Sequence, residues 1–234
     1  MTASLASLRD APSPQGRQTS VADGSSSDES PFSFGYNAIL PGVRIPREGN
    51  AEAHLRFVGN ASLTVDPIVL HVHTLNDVDV PFSETARSDD FGSLFSRTRL
   101  GLSPSDGALK DIWLIADIRA ADEVGILDVP VGVRYAQPLF GTYGYAEAAA
   151  TGDFFTASLF QGLDVDPIGD LEFFFSLDLP WNKPSAATLY GEAYLYPDIL
   201  STETARPYVA VQVLDLLDAS TKNLAALVGY EVRF

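Results

Sequence analysis

From Phe32 to the C-terminus the apolar residues recur mostly at every second position, the period of a strand with two chemically different faces. In Asp111–Arg119, Ile112, Leu114, Ala116 and Ile118 share one face and Asp111, Asp117 and Arg119 the other. Leu171–Leu179 alternates Leu171, Phe173, Phe175, Leu177 and Leu179 with Glu172, Ser176 and Asp178. The last run sets Val228, Tyr230, Val232 and Phe234 against Glu231 and Arg233. Further runs of this kind lie at Ala53–Val58, Ile68–Leu75, Val129–Tyr135, Thr188–Tyr196 and Tyr208–Leu214. The pattern predicts an all-β chain, and 18 Gly and 15 Pro between short strands predict a β-sandwich or jelly roll. Only Glu84–Phe95 and Asp215–Leu227 are helix candidates, and neither has a clean 3.6-residue period.

Residues 12–31 hold one large apolar side chain, Val21, among Ser, Pro, Gly, Gln and Asp. Such a stretch cannot offset its own ordering entropy, so residues 1–31 are expected to form a flexible polar arm. Beyond it the chain repeats itself. Val65-Asp66-Pro67-Ile68 returns as Val165-Asp166-Pro167-Ile168, and the runs that follow end in Val80-Pro81-Phe82 and Leu179-Pro180-Trp181. Ala53–Gly59 resembles Ala157–Gly162, and Val131–Tyr135 resembles Val228–Phe234. The shared order of the four matches predicts two related β-sandwich units, 32–135 and 136–234. One jelly roll with an inserted β-domain gives a similar strand count, and Asp-Pro turns also recur by convergence.

A formal charge of −16 argues against a phosphate-binding surface and hence against direct nucleic-acid binding. No cysteine is present, which excludes disulfides, thiolate metal sites and a cysteine nucleophile. The acids are 21 Asp to 10 Glu and the bases 12 Arg to 3 Lys, a bias expected of a halophilic source or of a GC-rich genome. The opening MTASLASLRD lacks the basic and apolar regions of a secretory leader, so the chain is expected to be soluble and unprocessed.

Catalytic grammar is missing. His71 and His73 share a strand face without a third ligand, which reads as a polar face rather than a metal site. The pairs Asp77/Asp79, Asp89/Asp90, Asp164/Asp166 and Asp215/Asp218 lack the spacing of a calcium loop, and no nucleophile elbow or phosphate loop occurs. No catalytic, cofactor-binding or metal-ligating residue is assigned, and no cofactor is expected. Tyr190, Tyr194 and Tyr196 share a face with Glu192, which fits a sugar-binding or subunit surface, or a core with hydroxyls at its rim. The terminal Tyr230-Glu231-Val232-Arg233-Phe234 resembles the last strand of an outer-membrane barrel. The missing leader, and charges that break several strand candidates on both faces, weigh against that reading.

An acidic, cysteine-free, lysine-poor all-β chain of this length with a polar N-terminal arm resembles the larger major capsid protein of haloarchaeal icosahedral viruses with an internal membrane. The resemblance implies a vertical single jelly roll in a virion, with a second, smaller, tower-like β-domain and without enzymatic activity. It also implies that copies associate with one another and with a second, smaller jelly-roll capsid protein, over an internal membrane they do not span. A soluble carbohydrate-binding or adhesion β-sandwich is the alternative.

Overall fold

The computed structural model describes residues 30–82, 94–121, 125–213, 216–217 and 224–234, with the side chains of 121 and 125–127 set aside. Residues 1–29 of the expected arm, Asp89/Asp90, Asp215/Asp218 and most of both helix candidates lie outside the described residues. Among those described, every long element is a strand. They are β1 (Phe32–Phe34), β2 (Ala38–Pro46), β3 (Glu52–Val65), β4 (Ile68–Pro81), β5 (Leu94–Pro104), β6 (Ile112–Ala121) and β7 (Gly125–Asp128). Then come β8 (Val131–Tyr135), β9 (Tyr143–Ala150), β10 (Phe154–Val165), β11 (Gly169–Pro180), β12 (Thr188–Pro197), β13 (Ala205–Val213) and β14 (Leu224–Arg233). The ends of both helix candidates, Leu94–Phe95 and Leu224–Leu227, belong to β5 and β14.

All-β is what the alternation predicts, but the expected sandwich is not what the strands build. Apart from β1–β2 and β7–β8, consecutive strands pair antiparallel, and β2 pairs with β14, so one sheet closes on itself. β1 and β2 lie end to end along β3, and β7 and β8 lie end to end along β6, which makes twelve staves. This is an up-and-down barrel, without the crossing connections of a jelly roll. Closure satisfies the edge that an open sheet would leave unpaired.

The register fixes the barrel's shape. Followed once around, it returns to β6 displaced by about 16 residues. Twelve strands with that stagger tilt by about 42° and enclose a barrel about 12 Å in radius. A ten-residue strand such as β12 then stands about 25 Å tall along the axis.

The expected boundary at 135/136 does not separate two sandwiches, because β8 pairs with β9 across it. It falls between six staves and six staves. Both Asp-Pro motifs form the tight turns of equivalent hairpins, β3–β4 and β10–β11, six staves apart around the wall. The Val131–Tyr135 and Val228–Phe234 matches also lie six staves apart. Their inward arginines are used alike: Arg134 sits over the Tyr145 ring at 4.1 Å on the next stave, and Arg233 over Tyr36 at 5.8 Å on its next stave.

Candidate functional site: the charged lumen

The two faces of the wall are inverted relative to a soluble protein. Val131 is 63% exposed and Leu114 62%, whereas Glu231 is 0%, Asp117 1% and Arg99 2% exposed. Ion pairs between non-adjacent staves, such as Arg56 with Glu192 and Arg119 with Asp178, show that the buried polar face points into the barrel. The opposite face is outward, and among the described strand residues it carries no charged side chain. Exposed aromatics stand near both rims: Phe32, Phe34, Tyr135, Tyr230 and Phe234 at the end with the C-terminus, Phe82 and Trp181 at the other.

Three networks fill the lumen. In the first, Glu147 on β9 accepts from Arg99 Nη2 at 2.7 Å and Arg97 Nη2 at 3.0 Å on β5, and from Arg134 Nη2 at 2.7 Å on β8. Asp117 takes Arg97 through two nitrogens and Arg119 Nε at 3.1 Å, and Arg119 reaches Asp178 across the barrel. The second joins Arg56 to Asp77 and Glu192, with the Tyr190 hydroxyl and the Gln212 amide also donating to Glu192. The third centres on Arg206, which donates to Glu231, Glu172 and Asp170 and stacks on Tyr196 at 3.6 Å. Tyr143 completes it with a 2.6 Å hydrogen bond to Glu172.

Eight of the twelve arginines (Arg44, Arg56, Arg97, Arg99, Arg119, Arg134, Arg206 and Arg233) thus point inward, and no lysine does among the described residues. A planar guanidinium binds carboxylates bidentately and sheds water more readily than an ammonium. The scarcity of lysine therefore has a local structural reason.

The networks hold charge where burial would remove it. Burial alone would raise the Glu147 carboxyl, but Arg99, Arg134 and Arg97 outweigh it and hold it well below the usual carboxylate range. Asp117, Glu192 and Glu231 are lowered for the same reason by their arginines. For Glu172, burial outweighs Arg206 and the carboxyl is raised. A water-filled channel would wet these groups. Instead Glu147, Asp117, Arg99 and Arg134 are buried together, so the lumen is closed at their level.

His71 and His73 do share a face, and it is the inward one. His71 stacks on Trp113 at 3.8 Å, and its Nε2 lies 2.9 Å from the Ser103 hydroxyl. Burial and Arg134 push its imidazole down to about 4; burial, Arg99 and Arg134 lower His73 as well. Both are neutral in the folded barrel, whereas unfolded histidine protonates near pH 6.5. Between those values the unfolded chain binds more protons, so stability rises with pH. The unfolding midpoint is expected to climb from pH 4 to about 6.5 and level off above it. His71→Phe, which keeps a ring against Trp113, should remove part of the climb. A profile flat across that window would contradict the assignment.

No group of three or more potential metal ligands occurs among the described residues. Of the aspartate pairs, Asp77 and Asp79 face the lumen and hold Arg56 and His54. Asp164 sits opposite Asp170 at a strand end, and Asp166 lies in a turn. The Tyr190–Tyr196 face is interior: Tyr194 and Tyr196 are 5% and 3% exposed, so it offers no surface to an external glycan. The Arg–Glu networks, spread over strands far apart in sequence, escape motif reasoning. Their sequence signal is the arginine on the polar face of so many strands. No protein-family model matches the chain, and no curated protein matches it.

Proposed function

We propose that the protein is an integral membrane β-barrel of the outer-membrane kind, crossing the bilayer with twelve staves and keeping its lumen closed by the arginine–carboxylate networks. The inversion of the wall carries this reading: among the described strand residues charge is confined to the inside, and apolar side chains face outward over most of the circumference. In water such a band is far larger than the apolar patches soluble monomers expose, and it would aggregate. In hydrocarbon it is the required surface, and a closed barrel is one of the two folds that leave no backbone group unpaired there. The strand height of about 25 Å and the aromatic rims fit the same setting. The resting state is that of an anchor or a gated conduit rather than an open porin.

The test uses the cysteine-free chain. Single Leu114→Cys and Val209→Cys variants, labelled with a fluorophore and refolded into phosphatidylcholine vesicles, should be quenched by brominated acyl chains. An inward Ser158→Cys label should not. A chain that folds and stays monodisperse in buffer without lipid or detergent, with outward labels unquenched, would overturn the proposal. Pseudo-hexagonal capsomers in such a sample would favour the capsid reading, and saturable sugar binding the adhesion reading.

A further inference from the structure

One part of the outward wall breaks the apolar rule. Thr74 and Asn76 on β4 and Ser96 and Thr98 on β5 point outward, half-buried and directly opposite one another across the β4–β5 pair. The Asn76 amide donates to Thr74 Oγ1 at 3.0 Å and accepts from Ser96 Oγ at 2.7 Å, while the Thr74 and Thr98 hydroxyls are 3.3 Å apart. Gly59 stands opposite Thr74, and the space above it is taken by the Thr74 methyl group and the Asn37 side-chain oxygen, so Asn37 borders the patch. The equivalent wall six staves away shows what lipid alone asks for. There the positions corresponding to Thr74, Asn76, Thr98 and Ser96 are Phe175, Leu177, Gly191 and Leu189.

We infer that this patch is the contact surface for a second copy of the same chain within the membrane. The inference rests on the membrane reading above. An amide nitrogen carries two donors, and Asn76 uses one on Thr74. Acyl chains offer no acceptor, so facing them the remaining capacity is lost. The patch is uncharged and holds donors and acceptors in balance, so a two-fold axis through it pairs each group with a complement on the identical surface.

The chain's lack of cysteine makes the test direct. Full-length Ser96→Cys and Thr98→Cys, refolded into vesicles and oxidised, should form disulfide dimers at least tenfold faster than Leu177→Cys on the opposite wall. Combining Thr74→Val, Asn76→Leu and Thr98→Val should abolish that preference and reduce energy transfer between labelled copies, with the barrel still folded by circular dichroism. Equal cross-linking at both walls, or a monomer by energy transfer while the outward Val209→Cys label is quenched by brominated lipid, would overturn this inference alone. A chain that never inserts would remove the membrane reading, and this one with it.

Discussion

Val209→Arg is expected to destabilise the barrel in lipid by about 2–4 kcal/mol, the cost of an arginine on the lipid face at mid-membrane. Val209 is 47% exposed, points outward and pairs with Leu195 and Val228 near the middle of β13 and β14. On a water-facing strand the same change falls within about 0.5 kcal/mol, because a half-exposed position lets the guanidinium reach solvent. In hydrocarbon the charge must drag water inward or stretch to an interface. The measurement is the urea midpoint of the variant refolded into vesicles. Arg placed nearer a rim, as in Leu224→Arg, should cost less. An equal and negligible effect at both depths would mean that water, not lipid, surrounds the wall.

The sequence carries the strands more legibly than their surroundings. Ile112, Leu114, Ala116 and Ile118 do share a face opposite Asp117 and Arg119, as alternation predicts. Alternation states that the faces differ; it does not state which is the core. The apolar face of a sandwich strand and the lipid face of a barrel strand have the same composition, so an expectation drawn from soluble proteins turns every strand inside out. The charges expected to break strands on both faces lie on one, since Arg97, Arg99 and Arg119 alternate with Thr98, Leu100 and Ile118 without exception. Closure is the second thing the pattern hides. It rests on β2 meeting β14, a contact between residues about 190 apart that no local signal encodes. The 100-residue repeat was legible, but its meaning as six staves of one sheet, rather than a sandwich of its own, depends on that closure.

Glu147→Gln should be the most disruptive single change in the lumen. Its carboxylate is shared by Arg97, Arg99 and Arg134, all buried, and removing it leaves Asp117 as the main counter-charge near three guanidinium groups. Breaking a buried ion pair on one side costs about 3–5 kcal/mol, because the partners stay desolvated without compensation. The amide can still accept a hydrogen bond, so the loss reports charge rather than shape. Arg134→Met alone should also destabilise, since the two hydrogen bonds that Arg134 donates both go to Glu147. The double variant should lose less than the sum, because the second change removes one of the charges stranded by the first. The three guanidiniums repel one another once Glu147 is neutral, and their route to relief is to move apart and admit water. The variant is therefore expected to pass ions across a planar bilayer where the parent barrel passes few. Additive losses in the double variant, or a Glu147→Gln barrel as stable and as tight as its parent, would show that the network fills the lumen without holding it shut.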